Sequence, residues 1–333
     1  MATHPKTLKA GPTSFDQGDG RPLTHLRRRK PCPTRLLVLA ICSAGLQACL
    51  VAALFAAAPH RQIPKSPDSQ SERIISLVPA ATEMLYAVGA GPRVVGVSSF
   101  DAFPPEVTKL PKVGALIDPN VELILSLKPQ LVVVYGTQVD LKQQLARAGI
   151  AVFDYRHAGL ADVTTTLRAL GERIGASRKA DEIAREITRG LDGIRQKVAG
   201  RARPRTLLVF GRERLALRGL YASGGIGFLN DMLEMAGGSN VFADVKTQAV
   251  QASTEQILAR RPEVILETRA LNSAWPSGDR QAELNVWNAV ASIPAVRNHR
   301  VQFLFDDRIV IPGPRVVEGT MAMAMALHPD AFK

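Results

Sequence analysis

The 333 residues are 46% hydrophobic and 5% aromatic, enough apolar material for one large domain or two modest lobes. The formal net charge of +12 would suit a nucleic-acid partner, but residues 1–35 alone hold eight Lys/Arg against two Asp. Half the excess therefore sits in a tail dominated by Arg27, Arg28, Arg29, Lys30 and Arg35. The remainder has no basic–aromatic interleaving and no finger or RNA-binding motif, so no nucleic acid is expected.

Leu36 to Ala58 is a run of 23 residues without a charge, against roughly 20 needed to span the hydrocarbon core as a helix. The basic cluster before it keeps the N-terminus cytoplasmic and sends the rest outward. Three readings compete. A cleaved signal is long for its type and meets Pro59 just after Ala56-Ala57-Ala58. Leu46-Gln47-Ala48-Cys49 resembles a lipobox, yet the apolar run continues past Cys49. An uncleaved anchor suits every residue and is favoured. The three cysteines (Cys32, Cys42, Cys49) all precede the folded part, which needs no disulfide and has no thiolate for structural zinc. Residues 59–72, rich in Pro and Ser, form a linker.

From Arg73 onward, β-branched runs alternate with helical periodicity, predicting an α/β fold with mainly parallel sheets flanked by helices. Strands are expected at Arg73–Leu77, Arg93–Val97, Leu131–Tyr135 and Ala151–Asp154, with helices at Thr82–Val88, Val121–Leu127 and Ala161–Ile174. Asn120 is placed to cap the second helix, and Gly89 to end the first. Ser177–Val198 reads as one long amphipathic helix, with apolar Ala180, Ile183, Ala184, Ile187, Leu191, Ile194 and Val198 at helical spacing. The alternation then restarts. Strands are expected at Thr206–Phe210, Val264–Glu267 and Val301–Phe305, and helices at Ile226–Ala236, Thr254–Ala259, Ala282–Val290 and Arg315–Leu327.

An internal repeat carries the most information. VELILSLKPQLVVV from Val121 aligns without gaps on TEQILARRPEVILE from Thr254, with Glu, Ile, Leu and Pro coincident at an offset of 133. A fainter echo pairs Glu83-Met-Leu with Asp231-Met-Leu, each running to a glycine at 89 or 237. The organisation implied is a first lobe at 73–175, a bridging helix at 176–200 and a second lobe at 201–333, with a cleft between lobes where a small ligand binds.

The segments RIISLVPAATEMLYAVGA, VVGVSSFDAFPPEV, DPNVELILSLKPQLVVV, LYASGGIGFLNDMLEMAGGSNVFAD and STEQILARRPEVILE, in that order over residues 73–330, closely resemble the iron-chelate/cobalamin class of ABC-importer binding proteins. The likeness is nearest to cobalamin binders. It implies two lobes bridged by a rigid helix, and capture of a metal chelate (a corrinoid or iron chelate) as cargo rather than cofactor. It further implies delivery to permease and ATPase subunits from the extracytoplasmic face, by a monomer and without catalysis.

The resemblance assigns Glu122 and Glu255, one per lobe, to docking on arginine pockets of the importer. It matches Phe100, Tyr135 and Tyr221 to aromatics that pack on a corrin, and Asp307 and Arg315 to polar cleft positions. Ser223, in the same glycine-flanked turn as Tyr221, and Arg308, a candidate partner for an anionic chelate, complete the expected ligand set. Two tryptophans of cobalamin-binding relatives are missing: Gly114-Ala115-Leu116 and Gln248-Ala249-Val250 stand in their places. Haem or a ferric siderophore therefore stays open as ligand. A ligand-sensing domain without a transporter is a further alternative. No metal site is expected, because His157, His299 and His328 lack ligand spacing. His157 beside Tyr155 would suit haem iron, although a lone loop histidine is ordinarily solvated. No nucleophile elbow or phosphate-binding loop is present.

Overall fold

The computed structural model describes residues 72–269 and 279–333. The chain divides into units of residues 1–61 and 62–333, and the described residues all belong to the second. The apolar span at 36–58, the tail before it and Trp275 lie outside the described residues. Among those described, no helix is long and apolar enough to cross a membrane.

Each lobe is organised on its own sheet. In the first, β1 (Ile74–Ser76), β2 (Val94–Val97), β3 (Leu131–Tyr135) and β4 (Ala151–Tyr155) pair in the order β2-β1-β3-β4, all parallel. Helices cover both faces, which is why β3 needs no alternation and buries Leu131 through Val134 completely. These helices are α1 (Pro79–Ala87), α2 (Val121–Ser126), α3 (Val139–Arg147) and α4 (Ala161–Arg173). Next, α5 (Ser177–Val198) buries Ala180, Ala184, Ile187, Leu191, Ile194 and Val198 of the predicted face and leaves Ile183 half-buried. One continuous apolar core runs through that face, from Leu167 and Leu170 of the first lobe to Met232 and Met323 of the second.

The second sheet combines β5 (Arg205–Gly211), β6 (Tyr221–Ser223), β7 (Ser239–Asn240), β8 (Ala249–Gln251), β9 (Val264–Arg269) and β10 (Val301–Phe305). Its order is β10-β9-β5-β6-β8, with β7 beside β5. Strands β5, β9 and β10 are parallel, whereas β6 runs antiparallel to β5 and β8. The turn expected around Tyr221 is therefore a short antiparallel extension. The helices here are α6 (Phe228–Met235), α7 (Thr254–Arg260), α8 (Arg280–Asn285), α9 (Pro294–Arg297), α10 (Asp307–Val310) and α11 (Val316–Leu327). The helix expected over 282–290 splits, because Val286–Val290 winds as a 3-10 helix. Its three-residue period sets buried Trp287 and Val290 on one side.

The repeat is visible in backbone detail. The Asn120 side chain accepts from the Leu123 amide at 3.0 Å to start α2, and Ser253 forms a reciprocal capping box with Gln256 to start α7. Both helices end on a residue in the left-handed region, Lys128 and Arg261, each with φ of 46° and each just before a proline. The fainter echo holds too: Gly89 (φ 85°) and Gly237 (φ 84°) close α1 and α6.

Candidate ligand cleft between the lobes

Parallel strands deliver their C-terminal ends to one edge of a sheet, and ligands of open α/β sheets bind along that edge. In the first lobe this edge presents Tyr135 from the end of β3 and Tyr155 from the end of β4. They line a cavity of about 710 Å³ together with Phe100, Gly136, Thr137, Arg156, His157 and the start of α1. The second lobe closes the cavity with Val310, the last residue of α10, and with Ile311 and Pro312 beyond it. That volume lies within the usual range for a small-molecule site.

The aromatic wall is ordered by ring geometry. Tyr135 and Tyr155 meet edge to face at 5.9 Å, and Tyr155 stacks on His157 at 6.3 Å with 9° between planes. His157 in turn meets Phe228, the first residue of α6, edge to face at 5.2 Å. Burial pushes the Tyr135 phenol up to about 12, helped by the nearby Asp101 charge. Burial likewise raises Tyr155 well above the ordinary tyrosine range. Both rings are therefore neutral hydrogen-bond donors at neutral pH. Burial lowers His157, and the Asp162 and Asp231 carboxylates only partly oppose this, so its imidazole is neutral as well. The Tyr155 hydroxyl and His157 Nε2 are buried and have no hydrogen-bond partner among the described residues.

Two polar ties join the lobes beside this wall. The Leu160 amide donates to Asp231 Oδ2 at 2.9 Å. Arg315, at the start of α11, donates its Nε to Glu83 Oε2 of α1 at 3.0 Å and pairs through a second guanidinium nitrogen with the other carboxylate oxygen. The same guanidinium lies 3.8 Å from the centre of the Phe103 ring. Burial raises Glu83 above the usual carboxylate value, with Arg315 opposing. The N-terminus of α1, which no side chain caps, contributes Pro79 and Ala80 to the cavity wall. Its dipole favours a negatively charged substituent on whatever binds there.

The residues expected at the site distribute unevenly. Phe100 and Tyr135 share the cavity, with Phe100 66% exposed. Tyr221 opens β6 and stacks on Phe210 at 6.3 Å, outside the residues that line the cavity. Ser223 is buried and donates its hydroxyl to the Gly224 carbonyl, so it points into its own lobe. Asp307 and Arg308 form the first turn of α10 next to the closing segment. The Arg308 guanidinium is engaged by Asp306 at 2.6 to 3.0 Å. Arg315 is committed to Glu83 instead of opening onto the cavity. Glu122 and Glu255 are exposed in the first turns of α2 and α7.

Tyr155 was open to the same rule that picks out Tyr135, an aromatic directly after an apolar strand. His157 beside Tyr155 is a candidate in the sequence, but its packing against Phe228 of α6 was not legible, since it depends on the second lobe. A further feature hidden from sequence lies at the same edge of the second sheet. Arg212 donates to Glu267 at 3.0 Å and Glu283 at 2.7 Å, with all three side chains fully buried. Glu283 also accepts from the Leu215 amide at 3.1 Å, so this network fixes the loop that follows β5. Among the described residues no group of three or more His, Cys, Asp or Glu is gathered to hold a metal ion. One neutral imidazole beside two phenols can offer a single ligand to a metal that arrives already chelated.

Comparison with known proteins defines the class. A model of the periplasmic binding protein family matches residues 74–307. An ABC transporter substrate-binding lipoprotein of Bacillus subtilis (strain 168) is 33% identical over 270 residues, which cover 79% of this chain and 82% of that protein. The vitamin B12-binding protein of Yersinia pestis (strain Pestoides F) is 32% identical over 60% of this chain and 70% of its own length. The crystal structure of the periplasmic vitamin B12 binding protein of Vibrio cholerae superposes with a TM-score of 0.66 at 26% identity, covering 79% of this chain and 98% of that one. A periplasmic heme-binding protein from Roseiflexus sp. RS-1 shares the fold, with a TM-score of 0.66 at 24% identity over 78% of this chain and 99% of that one. The chain belongs to the periplasmic binding protein family.

Proposed function

We propose that this protein is the extracytoplasmic substrate-binding component of an ABC importer, and that it takes a metal-chelate nutrient, cobalamin first, into the cleft between its lobes. The observation that carries this reading is the aromatic cavity of about 710 Å³ lined by Phe100, Tyr135 and Tyr155. The Tyr135 and Tyr155 rings, held by burial, and the exposed ring of Phe100 together present a large apolar area, which suits a broad conjugated macrocycle. The importer assignment draws on the relatives, which are binding proteins rather than enzymes. Docking through Glu122 and Glu255 follows the same reading, since each is an exposed carboxylate in the first turn of an equivalent helix. Retention at the membrane by residues 36–58, and action as a monomer, belong to it as well.

A second reading, haem, is favoured by one observation. The His157 imidazole is neutral, and its Nε2 is buried at the cavity wall with no hydrogen-bond partner among the described residues. A tetrapyrrole with an open axial position has a use for such a nitrogen, whereas a coordinatively saturated ferric siderophore does not.

The test is equilibrium titration of the full-length protein with cyanocobalamin, haemin and a ferric hydroxamate siderophore. Cyanocobalamin binding tightest supports the first reading. Haemin binding tightest, with a Soret shift that His157→Ala abolishes, replaces it with the second. A preference for the siderophore contradicts both.

A further inference from the structure

The ligand cleft occupies one end of the strands, and the other end of the second lobe carries a separate concavity. A cavity of about 650 Å³ is lined there by Arg201, Arg203, Glu263, Asn298, Arg300 and His328. Arg201 and Arg203 precede β5, Glu263 precedes β9 and Arg300 precedes β10. The cavity is thus one strand length, roughly 20 Å, from the cleft-facing ends of the same parallel strands.

Its wall carries three arginines against one carboxylate. Several arginines elsewhere hold carboxylates (Arg93 and Arg173 with Glu72, Arg212 with Glu267, Arg260 with Asp244, Arg315 with Glu83), whereas exposed Arg73 and Arg205, like exposed Arg201 and Arg203, donate to backbone carbonyls. Among the described residues, Arg201, Arg203 and Arg300 hold only backbone oxygens. Arg203 donates to Gly238 O at 2.7 Å and Glu234 O at 3.3 Å, Arg300 to Leu327 O at 3.0 Å, and Arg201 to Lys197 O at 3.4 Å. Those bonds fix the side chains but occupy few of the five N–H donors that each guanidinium carries. The one carboxylate in the wall, Glu263, accepts from the Arg205 amide at 2.8 Å. Buried His328, with Nε2 3.2 Å from Gly237 O, is held below the usual histidine range by burial and then by Arg201, Arg300 and Arg203. Three cations therefore converge on one imidazole that stays neutral.

We propose that this cavity is a second binding site, distinct from the ligand cleft, for a phosphate-bearing anion held by Arg201, Arg203 and Arg300. Guanidinium forks match phosphate oxygens in pairs, and anchored forks lose little freedom on binding. The cavity is larger than a bare phosphate and has room for a small phosphoester. A bound anion also offsets the excess of three arginines over the single carboxylate of the wall, Glu263. The competing explanation is that Arg203 and Arg300 only cap the C-termini of α6 and α11. Capping stabilises the fold equally with or without an anion, and this separates the two.

The experiment uses the full-length protein in chloride at constant ionic strength. Thermal melts and calorimetric titrations are run with inorganic phosphate and with glycerophosphoglycerol, a soluble lipid-headgroup diester. A saturable rise in Tm with either ligand is expected. A response to inorganic phosphate alone identifies a free phosphate as the source, and a stronger response to the diester identifies a headgroup. Arg201→Ala removes the guanidinium with the longest backbone bond. It is expected to weaken anion binding by roughly tenfold to a hundredfold, while leaving the melt in chloride and cyanocobalamin affinity unchanged. Arg300→Lys, which keeps the charge and loses the fork, is expected to weaken binding less. The proposal is overturned if neither anion shifts the wild-type Tm, or if both variants respond to the anions as the wild type does.

Discussion

Asp101 is buried beside the loop that carries Phe100 into the cleft. One carboxylate oxygen accepts from the Ser98 amide at 2.8 Å, and the other has no partner among the described residues. Burial pushes its pKa from 3.8 to about 6. Folding therefore disfavours the charged form, and stability falls as pH rises from about 4 through about 6, then levels off. Asp101→Asn keeps an acceptor for Ser98 and removes the charge. It should raise Tm at pH 8, corresponding to about 3 kcal/mol at most, and the gain should vanish near pH 4. A gain independent of pH would place its cause elsewhere. Phe100 makes the opposite kind of prediction, because its ring is mostly in solvent. Phe100→Ala should weaken chelate binding by about 5- to 150-fold, the equivalent of about 1–3 kcal/mol, with the Tm of the ligand-free protein unchanged. Unfolding without loss of residual affinity would make the ring part of the core. The position of Phe100 and Tyr135 was legible because each lies at or just beyond the end of an expected strand, whereas Tyr221, expected with them, lies outside the cavity lining. The commitment of Arg315 to Glu83 was not legible, since the two lie 232 residues apart and in different lobes.

At the scale of elements, the repeat was the most legible feature of the chain. Strand β3 announces itself as a continuous apolar run, because a central parallel strand is covered on both faces, and β1, β5 and β9 carry shorter apolar runs of the same kind. The cap of α2, Asn120, was equally open to reading, whereas the Ser253 capping box of α7 emerged from the structure. Strands β6 and β8 were not legible. Each is three residues long, too short for alternation to register, and they take shape only against β5 and each other. The equivalence of α2 and α7 leads to a paired prediction about docking. Glu122→Arg and Glu255→Arg should each leave chelate affinity intact and reduce uptake to a similar degree. The double reversal should nearly abolish transporter binding, since reversing a buried interfacial charge costs about 2–5 kcal/mol. If the glutamates serve only the helix dipole, transporter binding stays intact and stability drops by about 1 kcal/mol or less.

For the whole molecule, α5 and the continuous core around it set how the lobes are held, while Glu83–Arg315 and Leu160–Asp231 clasp them beside the cavity. A two-lobed body was readable from the duplicated pattern and the single long helix. The clasp and the floor contributed by Val310–Pro312 were not, because they arise only when the two lobes meet. On the proposed function, one ligand is gripped by both lobes at this seam. Amide hydrogen exchange of the full-length protein, measured with and without saturating cyanocobalamin, puts this to the test. Joint protection of residues 98–103, 135–138 and 155–160 in the first lobe and 308–312 in the second is expected. Protection confined to one lobe, or binding that leaves all four segments unprotected, would contradict it.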